Sequence, residues 1–218
     1  MSSPAERRQQ ILDGIAKAAA LAKRDPADVQ LVAVSKGRTV EEIESLIVAG
    51  QCDFGENRVQ EALEKWPPLL ARYPDVRLHE IGRLQSNKAA EAVKLFHAIH
   101  SVDRSSLLGA LVKEADKEGR RPAAYVQVNI GEEEQKGGCA IAEVPALIDA
   151  VRASPLPLAG LMAIPPLGPE PAPYFALLAK IARSHDVTGL SIGMSGDFQA
   201  AVMLGATAVR VGTALFED

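Results

Sequence analysis

The apolar positions of this chain follow two rhythms in turn, one helical and one suited to short buried strands. The helical rhythm comes first. Ile11, Ile15, Ala18 and Ala22 recur at helical spacing, behind a Ser3-Pro4-Ala5-Glu6 segment with the form of a capping box. Asp25-Pro26 ends that run. A short apolar strand follows at Leu31–Val34, then a helical stretch through Val40, Ile43, Ile47 and Val48 that Gly50 is placed to stop. The exchange then repeats. Strands are predicted near 52–54, 77–82, 97–102, 123–129, 158–163, 189–192 and 207–212, with helices near 56–72, 86–94, 104–118, 143–152, 172–184 and 196–204. With the first pair this makes eight βα units behind an extra N-terminal helix.

Such alternation predicts an α/β fold with parallel strands, and eight units predict a closed (β/α)8 barrel of the TIM type. A doubly wound open sheet is the competing architecture, but no Gly-x-Gly-x-x-Gly follows an early strand to support it. The 218 residues are expected to form a single domain spanning 1–218, at the low end for a barrel and without room for a second catalytic domain. The stretch from Pro165 to Pro173 reads as a semi-rigid loop after the sixth strand.

Composition narrows the partners. Hydrophobic content of 47% with 24% charged residues fits a soluble globular chain, and a net charge of −4 gives no reason to expect nucleic acid or an anionic membrane. The polar N-terminus lacks a signal peptide's apolar core, and no long apolar run occurs elsewhere. Cys52 and Cys139 lie far apart without metal-type spacing and read as reduced thiols. A cytoplasmic protein is expected. The histidines suggest no metal: His97 and His100, three apart on a predicted strand, face opposite ways.

Chemistry in a barrel lies at the C-terminal mouth. Val32, Val34 and Lys36 share one face of the first strand, so a lumen-facing Lys36 would bring its amine to the mouth. Partial desolvation there would favour the neutral amine, the form that attacks an aldehyde to give a Schiff base. A surface lysine at a strand end is the alternative. Gly193-Met194-Ser195 precedes a helix, and Gly212-Thr213 ends the eighth strand. Small residues there let backbone amides approach an anion, in the loops where barrels often bind phosphate. Glycines that merely shape tight turns are the alternative.

Arg210 shares a strand face with Ala208 and Gly212, which aims it into the mouth, toward a phosphate or a ring nitrogen. A structural ion pair with Glu56 is the other reading. An amine and a phosphate site at opposite ends of the chain, brought together by a closed barrel, suggest a cofactor with an aldehyde and a phosphate, pyridoxal 5′-phosphate. Asn57 is a candidate for a ring hydroxyl, Arg83 and Lys88 for attracting anions, and Lys136 for overhanging the site from a solvated loop. Each is as well explained as a turn or capping residue.

The chain closely resembles the pyridoxal phosphate homeostasis protein family, single-domain relatives of the alanine racemase barrel. The resemblance rests on Ala33-Val-Ser-Lys36, Phe54-Gly-Glu-Asn57 with Val59-Gln-Glu61, Ile81-Gly-x-Leu-Gln-Ser-Asn-Lys88, Val128-Asn129 and Lys136-x-Gly138. Gly160-Leu-Met162, Leu190-Ser-x-Gly-Met-Ser195 and Val209-Arg-x-Gly-Thr213 complete it. It implies an alanine racemase N-terminal-domain-like barrel with pyridoxal 5′-phosphate as a Schiff base on Lys36. It further implies Met194, Ser195, Gly212 and Thr213 at the phosphate, Arg210 at the pyridine nitrogen and Asn57 near the ring. Leu78, Glu80, Gly37, Arg38, Arg58 and Gly196 depart from the usual pattern, and the loss of a lysine at Arg38 touches cofactor hand-off more than binding.

By the same resemblance the protein would be a monomer that buffers the cofactor or delivers it to dependent apoenzymes, without catalysis. A racemase needs a base on each face of the substrate carbon. Lys36 offers one, and Tyr73, Tyr125 and Tyr174 offer no clear second. A racemase-like enzyme of low activity and a sugar-phosphate barrel without pyridoxal remain the alternatives.

Overall fold

The structure, a computed structural model, describes residues 2–217. Helix α1 (Pro4–Leu21) opens the chain, and Ser3 and Glu6 close its N-terminus as a reciprocal capping box. Then β1 (Gln30–Val34), α2 (Val40–Val48), β2 (Asp53–Glu56), α3 (Val59–Arg72) and β3 (Arg77–Glu80) alternate. The middle is formed by α4 (Ala89–Leu95), β4 (Ala98–Val102), α5 (Ser105–Glu118), β5 (Ala123–Gln127) and α6 (Val144–Ala153). The chain ends with β6 (Leu158–Met162), α7 (Ala172–Ser184), β7 (Leu190–Ser191), α8 (Phe198–Met203), β8 (Ala208–Val211) and α9 (Thr213–Phe216).

The strands are parallel and close in sequence order, with β8 returning to pair with β1 from Gln30↔Ala208 to Ala33↔Val211. That closure decides for the barrel over the open sheet. It also sets the two ends of the chain side by side. The main apolar core lies between strands and helices, with Phe54, Trp66, Phe96 and Phe175 fully buried in it. Among the described residues no helix is long and apolar enough to cross a membrane.

Several element boundaries differ from the sequence reading. The second strand runs to Glu56, pairing with β3 from Asp53↔Arg77 to Glu56↔Glu80. Gly55 therefore sits inside a strand and not at its end, because a Cβ there would press Ile81 Cδ1 at 2.8 Å and Val32 Cγ1 at 3.1 Å in the lumen. The third helix starts only at Val59 and continues through Pro67 and Pro68. The seventh strand is two residues long, and α9 follows β8 where no helix was foreseen.

Candidate functional site

Lys36 lies in the turn just beyond β1, held on both flanks. On one side the Ser35 hydroxyl donates to Glu56 Oε1 at 2.7 Å, and Lys65 Nζ donates to the Ser35 carbonyl at 2.9 Å. On the other, the Gly37 N–H donates to Glu61 Oε1 at 2.6 Å. Burial alone would raise Glu61, but Lys65 and the Gly37 N–H outweigh it and keep the carboxylate below its ordinary range. Lys36 itself is exposed, so the desolvation expected of it is absent in the open mouth.

The mouth holds a cleft of about 200 Å³ lined by Val34, Lys36, Arg38, Met194, Ser195, Arg210, Gly212 and Thr213. The structure therefore brings together Lys36, Met194, Ser195, Arg210, Gly212 and Thr213 from opposite ends of the chain. Asn57 is not among the lining residues; it stands beyond β2, half-buried, with its carbonyl against Gly82.

Gly193 has φ +92°, and a Cβ there would meet Ala201 Cβ at 2.6 Å, so the turn into α8 needs glycine. The Met194 N–H is taken by Asp197 Oδ1 at 2.5 Å, and the Gly212 N–H reaches Ser195 Oγ at 3.3 Å. Among the described residues, the N–H groups of Ser195, Gly196, Thr213 and Ala214 find no acceptor in the protein. Free amides from two turns around one serine hydroxyl form a cradle suited to an anion.

Arg210 is buried at the foot of this cleft, facing the lumen as its strand parity requires. Nη1 donates to the Ser191 carbonyl at 2.7 Å and to Ser191 Oγ, and Nη2 donates to the Ala163 carbonyl at 3.1 Å. Burial pushes its guanidinium down to about 10, which still leaves it cationic at neutral pH. The alternative reading, an ion pair with Glu56, does not form, because Glu56 faces outward and pairs with Lys65 Nζ at 2.8 Å.

Below Arg210 the lumen carries a polar chain that sequence reasoning missed. Ser191 Oγ lies 2.8 Å from His100 Nδ1, His100 Nε2 lies 3.0 Å from His79 Nδ1, and His79 Nε2 lies 3.1 Å from Asp53 Oδ1. Arg77 closes the far end with two bonds of 2.8 Å to Asp53. Burial drives His100 well below the ordinary imidazole range, and His79 and Arg210 add to it, so His100 is neutral. Burial alone would raise Asp53, yet the bonds from His79 and Arg77 prevail and lower it. Tyr125 stacks on His100 at 4.2 Å, inside the lumen. These residues lie on five other strands, so strand parity at Lys36 and Arg210 gives no signal for them. His97 does face the opposite way, outward, as expected.

The remaining candidates are engaged elsewhere. Lys136 donates to the Pro165 carbonyl at 2.8 Å and pairs with Glu133 at 2.6 Å, and Lys88 pairs with Glu91 at 3.2 Å. Arg83 is exposed. Arg38 contacts Glu42 and Glu217 and lies over the Phe216 ring.

Comparison with known proteins gives the arrangement its context. A family profile described as alanine racemase, N-terminal domain, matches residues 8–218. The pyridoxal phosphate homeostasis protein of Pseudomonas aeruginosa is 41% identical over 99% of this chain and 96% of its own. This chain belongs to the pyridoxal phosphate homeostasis protein family. A second member, from Synechocystis, is 39% identical over 88% of this chain and 93% of its own. The structure of PipY from Synechococcus elongatus with PLP bound superposes with a TM-score of 0.80 at 40% identity, covering 93% of this chain and 99% of PipY. An alanine racemase of Clostridium difficile shares the fold at a TM-score of 0.71 and 15% identity, over 96% of this chain and 56% of the racemase.

Proposed function

We propose that the mouth cleft holds pyridoxal 5′-phosphate as a Schiff base on Lys36, and that the protein stores or delivers this cofactor without turning over a substrate of its own. The observation that carries the reading is the meeting of Lys36, Arg210 and the Ser195–Gly212 cradle in one cleft. The donor set suits the group. Free backbone amides and Ser195 Oγ match a phosphate, with Thr213 beside them, while a fixed Arg210 cation beside a pyridine nitrogen keeps that nitrogen unprotonated. The cofactor's electron-withdrawing ring is the chemistry it brings when bound; with its nitrogen unprotonated, it is a weakened electron sink. Bound PLP in PipY supports the same reading.

The chain's own residues favour holding over catalysis. Lys36 sits on an exposed turn whose flanking peptides are tied to Glu56, Lys65 and Glu61, so its position is set while its amine stays reachable. Tyr125 is occupied against His100 below the mouth, and Tyr73 donates to Glu44 on the outside of the barrel. Neither is placed as a second base. Asn57, one strand away, reads as a support for the ring. In this account the protein is a cytoplasmic monomer, one domain over 1–218, whose recipients are cofactor-dependent apoenzymes.

Assays of the cofactor-loaded protein with amino acids test the carrier reading. Racemisation, transamination and elimination should stay at the level of free cofactor. Sustained turnover that disappears in Lys36→Ala would overturn it in favour of a racemase-like enzyme.

A further inference from the structure

Glu56 and Glu80 end β2 and β3 and are register partners in the parallel ladder. Adjacent strands run about 4.8 Å apart, so two such side chains on one face share a single pocket. Both are buried, with 0% and 1% of their surface exposed. Their donors divide unequally. Glu56 Oε1 accepts from Ser35 Oγ at 2.7 Å and Trp66 Nε1 at 2.9 Å, and forms an ion pair with Lys65 Nζ at 2.8 Å. Among the described residues Glu80 Oε1 accepts only the Gly82 N–H, at 3.1 Å. The second oxygens of both, Glu56 Oε2 and Glu80 Oε2, are buried with no partner. Two orphaned acceptors on register-paired residues are costly when both carboxyls are ionised, and one proton shared between them would satisfy both.

We propose that Glu80 is held as a neutral carboxylic acid that donates its proton to Glu56 Oε2, and that through Glu56 it acts as a positioning residue for Lys36. The role rests on the reading of Lys36 as the cofactor lysine. Glu56 is the acceptor of the pair because Ser35, Trp66 and Lys65 already converge on its other oxygen. Among the described residues the charged groups paired with Glu56 are Lys65 and, through it, Glu61, both of α3. On the other side Glu80's register partner is the apolar Ile99, and α4 buries Ala89, Ala92 and Val93.

Burial raises the Glu80 carboxyl to about 8 from 4.5, the Gly82 N–H opposes the rise, and Glu56 adds to it. The route to Lys36 is short: Glu56 holds the Ser35 hydroxyl, Lys65 holds the Ser35 carbonyl and Glu61, and Glu61 holds the Gly37 N–H. Ionised Glu80 would bring a third negative charge to a cluster served by one ammonium, loosening the peptides on both sides of Lys36.

Glu80→Gln keeps a donor in place and cannot ionise, so it separates charge from structure. Infrared spectra of the apoprotein should show a protonated-carboxyl band that the wild type loses as pH rises through about 8 and that Glu80→Gln lacks. Because the folded-state value lies above the ordinary 4.5, stability from this group is whole below 4.5 and lost as pH rises to about 8. The melting temperature of the wild type should therefore fall across that window relative to Glu80→Gln. Pyridoxal 5′-phosphate affinity of the wild type should drop about three- to tenfold relative to the variant between about pH 6.5 and 9.5.

Absence of the band, or a constant affinity ratio across pH, overturns the proposal. Should Glu80→Gln not fold, the wild type decides alone: the band and its loss near 8 support the proposal, and their absence overturns it. An adduct found away from Lys36 in protein that keeps the band would bring down the cofactor reading, and the positioning role with it. An adduct on Lys36 without the band would bring down only the role of Glu80.

Discussion

Arg210 is the residue at which the mouth and the lumen meet. Its guanidinium spans two strands through Ser191 and Ala163 and ends a chain of side chains that reaches Arg77 through His100, His79 and Asp53. Arg210→Gln should lose the Ala163 contact and strand buried acceptors, at a cost of about 1–3 kcal/mol. Urea unfolding of the apoprotein checks this, and an unchanged midpoint would contradict it. Strand parity alone made Arg210 and Lys36 readable from the sequence, since each continues a face of small or apolar residues. His79 and His100 were not readable in the same way. The sequence sets His100 only beside His97 as a rejected metal pair and marks His79 in no way; their role appears only once β3, β4 and β7 are placed around one axis. Glu80 stood out as a departure from the family pattern, but its buried pairing with Glu56 depends on a cross-strand register that no local signal carries.

At the scale of elements, the turns that follow β7 and β8 form the proposed phosphate cradle, and both depend on backbone geometry more than on helix length. Gly193→Ala would place a methyl group in a positive-φ position and against Ala201. The substitution should destabilise the protein by about 1–3 kcal/mol and weaken cofactor binding in proportion to the damage to the Ser195 turn. Calorimetry with and without cofactor measures both, and retention of full affinity would contradict the cradle. Gly193-Met-Ser195 and Gly212-Thr213 could be picked out as candidate phosphate turns because barrels concentrate such sites there, and the structure brings both to one cleft. The elements around them were less evident. A two-residue β7 and a four-residue α9 are too short to leave a periodic signature, and Gly55 disguised the last half of β2.

At the scale of the molecule, α1 packs behind the binding end of the barrel against α8 and α9. Arg24 donates to the Val202 carbonyl at 2.7 Å and the Ala206 carbonyl at 2.8 Å, and Arg7 donates to the Leu215 carbonyl at 2.9 Å. Gly14 lets α1 approach, since a Cβ there would meet the Phe198 ring at 2.9 Å. Gly14→Leu should cost about 1–3 kcal/mol by overpacking and lower cofactor affinity by displacing α8, readable as a shifted urea midpoint and a weakened titration. A neutral result in both would show that α1 is not part of the site's support. The barrel itself was legible from eight alternations of period, and only its closure gave the two chain ends a common purpose.

The central claim is a covalent cofactor at Lys36, and borohydride reduction tests it most directly. Wild-type protein incubated with pyridoxal 5′-phosphate, reduced and digested, should yield one dominant phosphopyridoxyl peptide containing Lys36, together with loss of the visible absorbance band; Lys36→Ala should yield neither. An adduct spread over surface lysines, or one that persists unchanged in Lys36→Ala, would contradict the account.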